Sequence, residues 1–342
     1  MGAKQHYVPR FYLKFWSNDE SKTHLSLYSF KNSMFIPSAE LKNQAYEVFF
    51  YGKDNDIEKE LGVLESDVSK LLNKINSENW FPRYKSKEYV NILLFTLIQL
   101  QRTARAVKDT NEGLDKLLEG ILPEEEKDKY SLRMDNPAIF NLQALPDLLP
   151  IIADMACKVL VNVSDMPFIT SDHPVVKYNQ FLENKGKSQG IAGLGSKGLQ
   201  IFYPISPTRM LLFYDSRVYK IGFRKKSILE TKNKEDINNL NLLQTLNCDE
   251  QIFFNNDVNK WHIEQLVEKR KDFYKPDKNI LYRYPQQKNK DGSYSELINI
   301  PTIAITTNLK LSFVKETDHA KQYKLSDYLC EVRDEKLRTR TF

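Results

Sequence analysis

Apolar positions recur with different periods in different parts of this chain. Leu25, Leu27, Tyr28 and Phe30 read as a short strand, with Met34 to Ile36 as its hairpin partner across Lys31-Asn32-Ser33. Ahead of them, Gln5 to Trp16 is dense in aromatic and β-branched residues that are costly to leave in water, so this terminus is expected to be tied down. Ile57, Leu61, Leu64, Val68, Leu71 and Ile75 are spaced by fours and threes, which predicts an amphipathic helix from about Asp56 to Asn76, capped by Asp54 or Asn55. A second helix is expected from about Ser86 to Val107, and its middle, Ile92 to Ile98, is apolar on nearly every side, as in a helix at the centre of a domain. Lys108 to Arg133 is highly charged and reads as an exposed helix pair or mobile insertion. Asn136-Pro137 opens a further helix with Ile139, Phe140, Leu142 and Leu145 on its apolar face, and Pro150 is expected to break or kink the region that follows.

From Val159 the pattern turns strand-like. Val159 to Val163 predicts a strand, Ser164-Asp165-Met166-Pro167 a turn, and Phe168-Ile169-Thr170 the returning strand. The same turn chemistry repeats at once in Ser171-Asp172-His173-Pro174. Asn179 to Gly198 is rich in Gly and Lys and predicts a flexible loop. Ile201 to Ile205 and Met210 to Tyr214 predict a hairpin across Ser206-Pro207-Thr208. A helix over Lys234 to Leu246, a strand over Gln251 to Phe254 and a helix over Asp257 to Lys271 follow. Ile303 to Ile305 and Leu309 to Phe313 predict a last antiparallel pair, and the tail from Lys336 is basic. Strands and helices do not alternate regularly, so the expected class is α+β, with an N-terminal helical block packed on a mostly antiparallel sheet. The expected organisation is one α+β domain over 1–275, with a helical insertion at about 108–135, and a C-terminal β-hairpin extension with a basic tail over 276–342.

Composition narrows the class without naming a function. Apolar residues make up 41% and charged residues 28% of the chain, as in ordinary globular proteins, and the net charge of +5 permits a nucleic-acid partner without demanding one. No window approaches the roughly 18 uninterrupted apolar residues of a membrane span, and the N-terminus lacks the apolar run of a signal peptide and the myristoylation pattern. Cys157, Cys248 and Cys330 are far apart and lack zinc-ligand spacing, so no disulfide framework is expected and a cytoplasmic location is the simplest.

His6-Tyr7-Val8-Pro9, Phe50-Tyr51 followed by Ile57-Glu58 and Leu61, Glu65, Gln101-Arg102-Thr103, Thr170-Ser171-Asp172-His173-Pro174 and Tyr203-Pro204-Ile205-Ser206-Pro207 stand in that order along the chain. Together they resemble the domain of unknown function 4238 family, found mainly in microbial proteins, over roughly residues 5 to 260. The resemblance implies that separated motifs build one site. It implies no mechanism, and association at the family level adds a role in microbial defence.

The candidate chemistry lies at those motifs. Asp172 sits with Thr170 and Ser171 at the end of an apolar strand, where sites are commonly built, and reads either as a metal ligand or general base or as a turn carboxylate bound to backbone amides. Glu58 and Glu65 lie on one helix edge, roughly 10 Å apart, as further carboxylates or as partners of Arg102 or Arg105. His6 suits proton transfer or an anchoring hydrogen bond, and Arg102 suits bidentate binding of a phosphate. His24, His262 and His319 read as surface residues. The leading expectation is a metal-dependent phosphodiester hydrolase, nuclease-like. Asp172, Glu65 and Glu58 would hold Mg or Mn, His6 would move a proton and Arg102 would steady the phosphate. Arg10, Gln99, Gln101, Thr170, Ser171 and His173 would line the substrate. The alternative is a non-enzymatic module that binds a nucleotide, nucleic acid or protein in the same cleft. No phosphate-loop, zinc-protease, nucleophile-elbow or Rossmann signature is present.

Overall fold

The computed structural model describes residues 3–53, 56–130, 132–275, 279–284, 287–288, 294–296, 298–325 and 331–334. The expected caps Asp54 and Asn55, the third cysteine Cys330 and the basic tail lie outside these residues.

The aromatic N-terminus is anchored, as its composition demands. Strand β1 (Lys4–His6) leads into a short helix, α1 (Arg10–Leu13), followed by strands β2 (His24–Ser29), β3 (Met34–Glu40) and β4 (Tyr46–Val48). β1 pairs antiparallel with β4, and β2 with β3 as the expected hairpin. Val8, Tyr12, Leu13 and Trp16 are fully buried. The Tyr12 hydroxyl reaches both Thr170 Oγ1 and the Pro204 carbonyl at 2.6 Å, and Trp16 Nε1 donates to the Phe168 carbonyl. The N-terminus is thereby fixed to strands more than 150 residues away in sequence. Tyr12→Phe removes both hydroxyl contacts while keeping the ring, and is expected to lower the unfolding free energy by about 1–3 kcal/mol in urea melts.

The predicted helices form with one change. α2 (Asp56–Ser77) buries Leu61, Val68, Leu72 and Ile75. α3 (Lys87–Gln101) is capped by Ser86 and is buried along its apolar middle. It stops at Gln101 instead of running to Val107. Arg102 leaves the helix, and the Thr103 side chain caps a new one, α4 (Ala104–Ile121). The stretch expected as an exposed insertion is therefore largely a continuous helix that joins the body of the fold. α5 (Pro137–Gln143), capped by Asn136, and α6 (Leu145–Ile152) close the helical block, and Pro150 lies within α6.

The remaining strands are β5 (Ala156–Asn162), β6 (Thr170–Ser171), β7 (Val176–Tyr178), β8 (Gln200–Ser206), β9 (Arg209–Tyr214), β10 (Tyr219–Ile221), β11 (Ile228–Thr231) and β12 (Gln251–Phe254). Between them lie α7 (Gln180–Asn184), α8 (Lys234–Asn247) and, after β12, α9 (Lys260–Phe273). One sheet has the order β11-β5-β9-β8-β7 and is antiparallel except for β11 beside β5; a second has the order β3-β2-β12-β6 and is antiparallel throughout. The fold is α+β. The strand expected to return along β5 does not. Phe168-Ile169-Thr170 leads into β6, which pairs with β12 in the second sheet. The last expected pair, 303–305 with 309–313, is replaced by an isolated bridge from Ile303 to Gln189, while Val314–Glu316 pairs with β10.

Candidate functional site

The two look-alike turns have opposite environments. Asp165 is exposed and pairs with Lys234 Nζ at 2.7 Å. Asp172 is 2% exposed, and its carboxylate accepts three backbone N–H groups at the α8–β12 junction: Asp249 (2.8 Å), Glu250 (2.7 Å) and Gln251 (2.9 Å). Its own N–H donates to the Gln251 carbonyl. Burial pushes the Asp172 carboxyl up to about 7, against the backbone amides, which favour the ionised form. Asp172 joins β6 to the start of β12. Ser171 Oγ donates to Gln244 Oε1 at 3.0 Å and accepts from the His173 N–H, and Thr170 Oγ1 is held by Tyr12, so both hydroxyls have buried protein partners.

Arg102 is the centre of a second cluster. It is 1% exposed, at the end of α3, and its Nη1 meets Glu65 Oε1 from α2 at 2.7 Å. With its carboxamide oxygen facing the guanidinium, Gln99 accepts from Arg102 Nε at 2.6 Å and Nη2 at 2.5 Å. Phe95 lies beneath the guanidinium, 6.0 Å from ring centroid to Cζ. Glu58 is half-buried nearby, and its carboxyl is raised by burial and by Glu65, with Arg102 opposing. His6 is fixed by the contact of its Nε2 with the Lys42 carbonyl at 3.3 Å, and burial lowers its pKa. Arg10 is exposed on α1.

These placements bear directly on the expected metal centre. Both Asp172 oxygens face backbone donors and Glu65 is bound to Arg102. Among the described residues no group of three or more His, Cys, Asp or Glu side chains is placed to hold a metal ion. Asp172, Glu65 and Glu58 are not grouped as a common donor set among the described residues, and Asp172 and Glu65 are engaged by other partners. Cys157 and Cys248 carry thiols that burial pushes well above their usual value, the reverse of an activated nucleophile. His262, expected at the surface, is half-buried, and its Nε2 is enclosed.

The open space lies beside these clusters. A cavity of about 400 Å³ is bounded by the start of α4, the turn after β6, β7 and two loops. Of the expected residues, Gln101 and His173 line it. Thr103 Oγ1, which caps α4, lies 2.5 Å from His173 Nδ1, so the Gln-Arg-Thr and Ser-Asp-His-Pro motifs meet at the cavity wall. Among the other lining groups, sequence reasoning named Arg105 only as an ion-pair partner and did not single out Lys177. Arg105 is 8% exposed, and its Nε–H is taken by Asp109 one turn along α4, at 2.7 Å. It does not pair with Glu58 or Glu65 as one expectation had it. Lys177 in β7 also lines the cavity; no hydrogen-bond acceptor or carboxylate oxygen among the described residues lies within bonding distance of its ammonium. Burial lowers its pKa, and Asp109 partly offsets that effect. The signal available in the sequence was a single charge inside an apolar strand, Val175-Val176-Lys177-Tyr178, whose neighbours Val176 and Tyr178 face the core.

The paired motifs, the buried Arg102 cluster and the Thr103–His173 contact all fall within one matched region. The family model described as protein of unknown function (DUF4238) matches residues 4–258, well over half of the chain. No curated protein and no solved structure matches it. The chain belongs to the DUF4238 family.

Proposed function

We propose that this protein binds a small phosphorylated ligand, a nucleotide, in the cavity between α4 and β7, and that it acts as a ligand-binding module. The observation that carries this reading is Lys177. Its ammonium is partly buried and has no ion-pair partner among the described residues, yet it shares a cavity wall with a second cation, Arg105. A charge taken out of water is costly, and Asp109, which lines the same cavity, offsets that cost only in part. A phosphate beside Lys177 and Arg105 offsets that cost, and the Arg105 guanidinium, fixed in plane by Asp109, suits phosphate oxygens. The cavity volume falls within the range that takes one small ligand, which favours a mononucleotide over a polymer. Gln101 and His173 add polar groups to the same wall, and Leu100, Ala106 and Leu194 supply apolar surface. Phosphodiester hydrolysis with Mg or Mn is not carried forward, because its three carboxylates are not arranged as a donor set, and no step is derived through a metal.

Calorimetric titration of the full chain with the common nucleoside monophosphates and with inorganic phosphate tests this reading. Wild type is expected to bind, and Lys177→Ala to weaken binding about tenfold or more, equivalent to about 1.4 kcal/mol. Absence of binding by wild type, or equal affinity in Lys177→Ala, contradicts it. The pH profile gives an independent check. The charged ammonium binds the anion, and its pKa lies below the ordinary 10.5. Affinity should therefore fall as pH rises through that lowered value, and this limb should vanish in Lys177→Ala.

A further inference from the structure

The matched family region ends at residue 258, yet one wall of the cavity comes from beyond it. Asn279 and Thr302 to Ile305 line it, and the Asn279 N–H donates to Glu112 Oε1 of α4 at 2.8 Å. Residues 302–304 are held by the glycine-rich segment, whose composition predicts a flexible loop. Gly190 N donates to the Thr302 carbonyl at 3.0 Å, Ala304 N donates to the Ser188 carbonyl at 3.3 Å, and Gln189 bridges Ile303. Gly190 has φ +63, a conformation that other residues rarely adopt.

The far side of that loop is bound by a second piece of the C-terminal segment. Lys197 N donates to the Glu331 carbonyl at 2.8 Å, and Arg333 N to the Gly195 carbonyl at 2.7 Å. Arg333 is 4% exposed. It donates through Nε to both oxygens of Asp154 at 3.0 Å and through its terminal nitrogens to the carbonyls of Ile151, Leu194 and Ser196. Leu194 itself lines the cavity. Both edges of the loop are thus clamped by residues outside the family region.

The cavity lining is mixed in origin and in chemistry. Lys177, Arg105 and Asp109 belong to the family region and are charged, whereas Ile303 and Ile305 belong to the C-terminal segment and, with Leu194, add apolar lining to the same cavity. We infer that residues 302–305 form the ligand-selecting wall, packing with Leu194 against the base of a nucleoside monophosphate whose phosphate lies at Lys177 and Arg105. This inference rests on the phosphate-binding reading above. A flat, weakly hydrated heterocycle suits such a wall, since its faces gain from apolar burial while its edges keep polar contacts.

The test titrates adenosine monophosphate and inorganic phosphate separately into wild type, Ile303→Trp and Ile303→Ala, with thermal melts to establish folding. The indole is expected to fill cavity space beside position 303. Ile303→Trp should weaken the nucleotide about tenfold or more while leaving inorganic phosphate within about twofold. Ile303→Ala should weaken the nucleotide by a smaller factor, again without changing phosphate, and it carries the test if the tryptophan variant does not fold. Equal nucleotide affinity in the folded variants, or wild type that binds phosphate but not the nucleotide, overturns the selecting wall and leaves the anion site standing. Wild type that binds neither probe removes the anion site, and the wall with it.

Discussion

Asp172→Ala is expected to lower the unfolding free energy by about 3–5 kcal/mol, measured by urea denaturation followed by circular dichroism. The substitution strips three backbone N–H groups, those of Asp249, Glu250 and Gln251, of their acceptor where α8 turns into β12. A buried donor left without a partner costs on the order of 1–3 kcal/mol, and partial entry of water limits the sum. The conservative Asp172→Asn keeps one oxygen and should lose roughly half as much. Its folded form should bind phosphate like wild type, because Asp172 acts on the fold rather than on the ligand. Wild-type stability in Asp172→Ala would show that these hydrogen bonds do not hold the junction.

Arg102→Ala has the second large effect, again about 3–5 kcal/mol. It leaves Glu65 without its cation, takes the donors from the Gln99 carboxamide and opens a cavity above Phe95. Glu65 is 24% exposed on its side chain and can recover some hydration, which keeps the loss below that of a fully enclosed carboxylate. Arg102→Lys should recover little, since an ammonium cannot meet Glu65 and Gln99 in the planar geometry of a guanidinium. Urea melts of the two variants check this; a lysine variant as stable as wild type would contradict it.

Much of the fold was legible because it is periodic. The stripe from Ile57 to Ile75 became α2, the alternation around Ser206-Pro207-Thr208 became the β8–β9 hairpin, and the apolar run Ile92 to Ile98 became the buried centre of α3. What was missed depended on partners distant in sequence. The charge of residues 108–133 suggested an exposed insertion, but the apolar face at the start of α4 is buried, and Arg105 and Asp109 satisfy each other across one turn. The glycines of 186–198 suggested flexibility, yet the loop's hydrogen bonds go to residues 302–304 and 331–333, which no local pattern predicts. Asp165 and Asp172 occur in nearly identical tetrapeptides. Only the tertiary position of the α8–β12 junction makes one a surface ion pair and the other a buried anchor.

The motif residues proved easier to find than to assign. His6, Arg102, Thr170, Ser171 and Asp172 stood out as polar groups in apolar surroundings, and each has a defined partner in the folded chain. Polar groups must be satisfied when buried, so the same pattern marks structural networks as readily as sites. Lys177 differs because no hydrogen bond or ion pair among the described residues holds its ammonium, and Asp109 offsets its burial only in part.

Hydrogen exchange of the full chain, with and without saturating adenosine monophosphate, addresses the central claim most directly. Slower exchange is predicted at 101–110, 173–178, 188–195 and 302–305, with little change at 4–10 and 56–66. Protection confined to the segments around His6, Glu58 and Glu65, with the cavity walls unchanged, would contradict it.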